Sequence, residues 1–531
     1  MNTQIVDANT WLYPDSSVES DAPQRITLSS ARGARAACQI LCTSVREGAE
    51  IRVDFQSASS DSWLAPEVSL LVDVAVGKNT GDFGFVVKDG ESAAEYTTRE
   101  APFRVYDAMR PLGDGAKTRS TTQALYVTWY TPHDAFPGGY TGTLKLVVGE
   151  ESQKIPVELE VFPAIVPEKG GLAVTNWFSV GNMATHHDLE PWSPKHWEMI
   201  ERYGQVMRRG RQSNFLIPIG VVGIEKTGPG NWELDFDRVE RLAELFFGMG
   251  FTTLESGHLG TRRRFNDSTF VLTGDSSIQA TSPDGYSFLS QYFKQWRELL
   301  EKRGWLDRVI QYVGDEPTMH SAADYRILAG MIRKLLPGVP LADAVELPEL
   351  GGALDIWVPK NSYYQQHRDA FDRHREKGDT IWCYTCCIPG GRFMNRFLDT
   401  ALIRTRLIHW GNFLFDLPGF LHWGLNQYRP GQDPFENTTP VHGDDGETFL
   451  PSGDTHIVYP GDDGPWSSVR LEAMGMGVED YELLRQVESS DSDLAHQIAT
   501  KSVRSFDDYD EDAESLARCR LELLKAASSA A

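Results

Sequence analysis

In the stretch VIQYVGDEPTMH, Val309 to His320, an apolar run ends at Gly314. Two carboxylates follow side by side, Asp315 and Glu316, with Pro317 behind them. Inside a strand, successive side chains point to opposite faces, so the pair would diverge. At a strand exit bent by Gly314 and Pro317, both can reach one mouth. Two anions that close cannot both ionise cheaply, so one is expected to titrate high. A Glu starting near ~4.3 and lifted toward ~6–7 is a general acid at neutral pH, so the juxtaposition is expected to tune a proton donor. The plainer alternative has Glu316 capping a helix that opens near Ser321, with Asp315 in an ion pair.

The elements that must hold this pair can be read from the apolar pattern. Residues 1 to about 165 carry strand-like segments broken by Gly, Pro and Asp, among them ARAACQILCTS, ALYVTWYTP and IPVELEVF. With few helical periods among them, an antiparallel β-sandwich is expected over residues 1–165. FPAIVPEKGG, Phe162 to Gly171, reads as a linker. From residue 171 to about 430, eight apolar runs alternate with helical patterns: LAVTNWF, NFLIPIG, TTLESGH, VIQYVGDE, PLADAV, LDIWVPK, TIWCYTC and GFLHWGLN. Runs apolar on both faces imply a parallel sheet covered on both sides, and eight of them predict a (β/α)8 barrel, with an open doubly wound sheet as the alternative. Ser193, Pro194 and Gly210 punctuate one of the helices as N-cap, first turn and stop. Single helices are expected through YYQQHRDAFDRHREKG and NRFLDTALIRTRLIHWG. Residues 431–531 are expected to form an extension packed on the barrel, with a hairpin in ETFLPSGDTHIVYPG and two helices.

In such a barrel the functional groups sit where strands end. The residues there are Asn176, Trp177, His258, Asp315, Glu316, Asp343, Trp382, Tyr384, Trp423 and Asn426. Aromatic rings grip the apolar C–H faces of sugars, while Asn and Asp bind hydroxyls. Trp177, Trp357, Trp382, Tyr384 and Trp423 suit the first use, and Asn176, Asn395 and Asn426 the second. Singly, each is more often core; together they point to a carbohydrate cleft.

Three stretches, GDEP after a strand, WCYTCCIPGGRFMNRFLDTALIRTRLIHWG with GFLHWGLNQY, and VRLEAMGMGVEDYELLRQV, resemble glycoside hydrolase family 123 and the wider set carrying the domain of unknown function 4091. That resemblance implies a β-N-acetylgalactosaminidase, built as a sandwich followed by a (β/α)8 barrel and working by substrate assistance. Glu316 would be the general acid/base, and Asp315 would orient the sugar's 2-acetamido nitrogen. The acetamido oxygen would attack the anomeric carbon. Tyr384, Tyr363 and Tyr364 are candidates to hold that oxygen. Sequence neighbours flank one face of a sugar more readily than they straddle it, and substrate-assisted enzymes are the exception to the opposed carboxylate pair. A glycosidase for another sugar, with the pair reassigned, and a non-catalytic carbohydrate-binding protein are the other readings.

Composition removes several classes. The chain has 531 residues, 51 Lys+Arg against 75 Asp+Glu, and a net charge of −24, so a polyanion such as DNA would be repelled. No apolar run approaches the ~18 residues of a membrane span, and the opening MNTQIVDANTWLYPDSS lacks the pattern of a secretory signal, so a cytoplasmic place is expected. Six cysteines in such a length make no disulfide framework. Cys383 and Cys386 form a C-x-x-C that ends a strand instead of opening a helix, against a redox role. THHD, Thr185 to Asp188, could offer metal ligands, but two adjacent histidines on a loop are usually solvated, and the GDDGE and PGDDGPW loops lack the spaced ligands of a calcium site, so neither metal nor cofactor is expected. Asn266 and Asn437 match glycosylation acceptors, which bear on the chain only if it is secreted.

Overall fold

The computed structural model describes residues 1–58, 62–88, 95–443 and 446–530; Asp444 and Asp445 of the GDDGE loop lie outside these. The protein is a multidomain mixture of α-helices and β-sheets.

The N-terminal segments form two sheets. One runs Asn2–Asp7, Arg35–Thr43, Thr122–Tyr130, Glu67–Val76, Phe103–Pro111, and is completed from far along the chain by Gly464–Ser468 and Tyr459–Gly461. The other runs Ile26–Arg32, Glu151–Ile165, Gly138–Val148, Ile51–Ser57. Ile40, Leu125, Val127 and Trp129 of the first share a core with Leu144, Leu146, Ile155 and Val157 of the second. The first sheet's other face packs on Val469, Ala473 and Met476. Covered on both faces, Thr122–Tyr130 is buried from Gln123 to Trp129 instead of alternating. One pair departs from the antiparallel expectation: Ile26–Arg32 runs parallel to Glu151–Ile165.

All eight apolar runs become parallel strands. Asn214–Ile217, Thr253–Ser256, Val309–Tyr312, Leu341–Val345, Ile356–Pro359 and Thr380–Ile381 form one sheet in chain order. Ala173–Asn176, Gly419–His422 and Cys383–Thr385 form another. Trp382 joins the two sheets within one chain segment, and its N–H donates to Trp357 O at 2.8 Å; at the opposite ends, Ser213 N donates to Val174 O at 3.1 Å. Inward side chains such as Leu216, Ile310, Tyr312, Ala344, Val358 and Leu421 make one cluster, and outward ones pack under the helices in another.

The helix Pro194–Arg209 has the expected cap, with Ser193 Oγ accepting from His196 N and Gly210 closing it. Two expected helices are shorter. Asn361–Gln366 and Arg368–Arg375 are separated at His367. Ile403–Leu414 starts eight residues after Asn395; before it, Asp399 is held by the segment that follows the strand Glu67–Val76, its carboxylate accepting from Thr80 N (2.6 Å) and Thr80 Oγ1 (2.9 Å). The C-terminal hairpin is Tyr459–Gly461 with Gly464–Ser468, later than expected, and three helices follow instead of two: Val469–Ser490, Ser492–Ser502 and Ala513–Ala530. No described helix is long and apolar enough to cross a membrane.

The helix Val469–Ser490 is buried almost throughout and carries paired charges into the N-terminal sheet. Arg470 donates to Asp107 (2.9 Å), and Arg35 to Glu479 (2.9 Å) and Glu472 (3.0 Å). Breaking a buried pair by removing one partner costs roughly 3–5 kcal/mol. The acidic and basic residues of VRLEAMGMGVEDYELLRQV therefore fasten one part of the molecule to another.

Candidate active site

The strand Val309–Tyr312 is buried along its length and ends in a turn that only glycine fits: a Cβ on Gly314 would stand 2.7 Å from the Phe270 ring. Val313 N and Gly314 N donate to Asp343 Oδ2, at 3.3 and 2.7 Å. Glu316 then takes a left-handed φ of +44°, a conformation costing on the order of 1–3 kcal/mol in a non-glycine residue. Arg262 offsets that strain by donating to both carbonyls of the turn, Asp315 O at 2.9 Å and Glu316 O at 2.6 Å.

The left-handed turn sends the two carboxylates to different partners in one mouth. Asp315 Oδ1 lies 3.9 Å from His258 Nε2, and that nitrogen is 2.9 Å from Asp343 Oδ1. Asp343 is wholly buried and also accepts from Tyr325 OH at 2.7 Å. Glu316 Oε1 accepts from Lys360 Nζ at 3.1 Å and from Tyr384 OH. Trp177, His258 and Tyr312 pack edge to face, with centroids 5.1–5.5 Å apart.

The charges fall opposite to expectation. Enclosure by the protein, with the Glu316 and Asp343 carboxylates, pushes Asp315 up to about 6, against His258 and Arg262. Its side chain is 58% exposed, and water in the open cleft moderates that push. Burial would raise Glu316 as well, but Lys360, Tyr384 and Arg262 together hold it below the usual carboxylate range. The pair is split as the spacing requires, with Asp315 as the high member, because the buried Lys360 ammonium stands on the Glu316 side. For His258, burial is outweighed by Asp343, Asp315 and Glu255, and its pKa is raised.

Of the expected sugar-binding residues, Trp177, His258 and Tyr384 meet around the pair, and half-buried Trp423 packs on the same inner cluster, its Nε1 donating to Asp454 Oδ2 at 3.2 Å. Five others do other work. Trp357 is fully buried on the outer face, stacked on His374 at 4.1 Å with Nε1 on Asp379, because strand alternation turns it toward the helices. Trp382 lies against Gly419 at the start of the neighbouring strand, two residues below Tyr384 and away from the mouth. Asn395 braces its own loop, donating to Cys386 O and Pro389 O at 2.9 Å. Asn426 exchanges both amide hydrogen bonds with the Ser179 backbone. Asn176 at the strand end is equally committed, between Gln212 and Arg396. Tyr364 is core, bonded to Asp372, whereas Tyr363 stands 5.5 Å from Lys360 Nζ.

The sequence reading passed over Lys360, Glu346 and Glu255. Glu255, fully buried, accepts from Thr175 Oγ1, Trp177 Nε1 and Asn214 Nδ2 at 3.0–3.1 Å. Burial nevertheless pushes it up to about 7. A Glu inside an otherwise apolar run, as in TTLESGH, and a Lys directly after one, as in LDIWVPK, were the available signals. His258, Asp315 and Asp343 each bring one ligand atom within 4.8 Å of the others. Asp343 already serves His258, Tyr325 and two backbone N–H groups. Burial pushes the Cys383 thiol up to about 12, which leaves it inert.

Comparison with known proteins agrees with this architecture. Residues 177–487, more than half of the chain, match the model of the glycoside hydrolase 123 catalytic domain. Among solved structures, a family 123 glycoside hydrolase from Clostridium perfringens, described for glycolipid glycan hydrolysis, superposes with a TM-score of 0.73 at 13% identity, over 99% of this chain and 97% of that one. A β-glucuronidase from Parabacteroides merdae (TM-score 0.30, 12% identity, 87% and 51% covered) and a β-galactosidase from the psychrophilic Marinomonas ef1 (0.36, 10%, 62% and 62%) are far more remote. No curated protein sequence matches the chain. By its catalytic-domain match, the chain belongs to glycoside hydrolase family 123 and is a glycosidase acting on a carbohydrate substrate.

Proposed function

We propose that this glycosidase is a retaining, exo-acting β-N-acetylhexosaminidase, taking β-N-acetylgalactosaminides, whose nucleophile is the substrate's own acetamido oxygen. The observation that carries the reading is that Asp315 and Glu316 leave one strand end, on one side of the mouth, for separate partners. Carboxylates so placed cannot straddle a glycosidic bond as an opposed pair does. In the first step the acetamido oxygen bonds to the anomeric carbon. The C–O bond to the aglycone breaks with its electron pair going to the departing oxygen, which takes the proton of Glu316. Asp315 accepts a hydrogen bond from the acetamido N–H. In the second step water attacks the anomeric carbon of the oxazolinium ion and gives a proton back to Glu316, the bond from that carbon to the acetamido oxygen breaks with its electrons returning to the amide, and configuration is retained.

In the free protein the negative charge sits on Glu316. Binding reverses this: the acetamido N–H stabilises the Asp315 anion, and the proton shared by the pair passes to Glu316. Lys360 and Tyr384 both donate to Oε1, which leaves Oε2 for the aglycone oxygen. Trp177 supplies the apolar sugar face, and Tyr384 or Tyr363 the hydroxyl for the acetamido oxygen. The same reading takes residues 171–430 as a closed (β/α)8 barrel behind a β-sandwich of residues 1–165. Residues 431–531 form the extension. The backbone hydrogen bonds at the two sheet junctions support closure.

The test is a panel of aryl β-glycosides with and without the 2-acetamido group, together with a thiazoline mimic of the oxazoline. Hydrolysis confined to acetamido substrates and blocked by the thiazoline is the expected result. Equal rates on plain β-galactosides would reassign the pair. Sugar binding without turnover would make the protein a lectin.

A further inference from the structure

One cation is buried against the proposed acid. Lys360 follows the strand Ile356–Pro359, its side chain 3% exposed, with Nζ 3.1 Å from Glu316 Oε1 and in hydrogen-bond contact with Glu346 Oε1. Glu346 follows the adjacent strand Leu341–Val345 and is 25% exposed. The rings of Tyr384 and Tyr363 lie 5.1 and 5.5 Å from Nζ. Around Glu316 the other titratable or charged groups among the described residues include Asp315 on its own turn, Arg262 on the turn carbonyls, the Tyr384 hydroxyl and the Cys386 and Cys387 thiols, with His258 and Asp343 behind Asp315. A single ammonium thus stands between two carboxylates and reaches both from one side-chain position.

We propose that Lys360 is a positioning residue shared between Glu346 and Glu316, binding Glu316 when its proton has left and resting on Glu346 when the proton is present. The inference rests on Glu316 being the proton donor. When the aglycone oxygen takes that proton, the carboxylate left behind meets an ammonium already in place. When water returns a proton, neutral Glu316 is a poor partner and Lys360 falls back to Glu346. Lys360 keeps its three hydrogens throughout. Glu346 is what prevents the lysine from holding Glu316 permanently charged.

Removing the two partners must then move Glu316 in opposite directions, which a merely structural role would not do. The experiment is a 13C NMR titration of the full chain labelled at glutamate Cδ, with the Glu316 resonance assigned through Glu316→Gln. Lys360→Met is expected to raise the Glu316 midpoint by about one pH unit or more, as loss of an opposite charge in contact does. Glu346→Gln, which frees the lysine for Glu316, is expected to lower it. Lys360→Arg keeps the charge and should hold the midpoint near the parent's. Equal midpoints, or shifts of one sign in both folded variants, overturn the inference. Should Lys360→Met fail to fold, the downward shift in Glu346→Gln decides alone. The alkaline limb of kcat/KM on aryl 2-acetamido glycosides should move with each midpoint. Midpoints that shift as stated in a protein that hydrolyses none of these glycosides would retain the ion triad and discard the hydrolytic reading; hydrolysis with unmoved midpoints would discard the triad alone.

Discussion

Replacing Glu316 by Gln separates proton transfer from everything else the residue does. Gln has the same length, and its amide oxygen can still accept from Lys360 Nζ and Tyr384 OH. Lys360 retains Glu346, and Arg262 retains the carbonyls of the turn. The loss to the fold is the difference between a charge-assisted and a neutral hydrogen bond, about 1 kcal/mol. It is partly offset because Asp315 no longer faces a neighbouring anion. The loss to the reaction is that of a general acid, roughly 10²–10⁴-fold, or about 2.7–5.4 kcal/mol at 1.36 per tenfold. That loss should depend on the aglycone. Measured as kcat/KM over a series of phenyl 2-acetamido β-galactosides, the most acidic phenols need little protonation and should react nearly as with the parent enzyme. The least acidic should show the full deficit, so the plot of log rate against phenol pKa steepens. A loss below threefold throughout the series, with the slope unchanged, would refute Glu316 as the donor.

Asp315→Asn should cost a similar factor evenly across the same phenols, because in the proposed mechanism Asp315 acts on the acetamido group and not on the aglycone. In the free enzyme the proton that Glu316 must donate rests on Asp315, pushed up to about 6; kcat/KM should therefore fall as pH rises through about 6, and this limb should move to lower pH in the Asn variant, where Glu316, held below the usual carboxylate range, must keep the proton itself. Glu255 gives a stability prediction. Its folded pKa of about 7 lies above the unfolded value of ~4.3, so its charging penalty is absent below about pH 4 and complete above about pH 7. That penalty is on the order of 3 kcal/mol, or about 3 °C of Tm for a chain this long. Measured calorimetrically at pH 5 and pH 8, the Tm of Glu255→Gln relative to the parent should rise by that amount, and a constant gap would show that Glu255 does not titrate there.

What could be read from the sequence was what local chemistry dictates. The eight parallel strands were legible because most are short, largely apolar runs set between helical periods, and the helix Pro194–Arg209 because its cap and stop are written in Ser193 and Gly210. Trp357 was misplaced for the same reason that its strand was easy to find. LDIWVPK is apolar on both faces, so nothing in it distinguishes the residue facing the helices from the one facing inward. Asn395 and Asn426 look like ligand-binding amides until their partners are known, and those partners are backbone groups of loops. The tie between Arg470 and Asp107 spans 363 positions and has no local signature.

Adjacency of two acidic residues is commonly read as a device for raising one pKa by repulsion. Here it also works through geometry. Because Glu316 is left-handed, the two side chains leave the turn for separate surroundings, Asp315 for an imidazole backed by Asp343 and Glu316 for an ammonium shared with Glu346. Repulsion makes the pair hold one proton cheaply, and the unequal partners decide which member holds it when the cleft is empty. A ligand offering an N–H to Asp315 and an oxygen to Glu316 reverses that preference without moving the backbone. Under the proposed mechanism, an enzyme whose nucleophile belongs to the substrate would gain by such an arrangement: its acid would become competent only when the acetamido group that must attack is in place, and a sugar lacking that group would leave the proton on the wrong carboxylate.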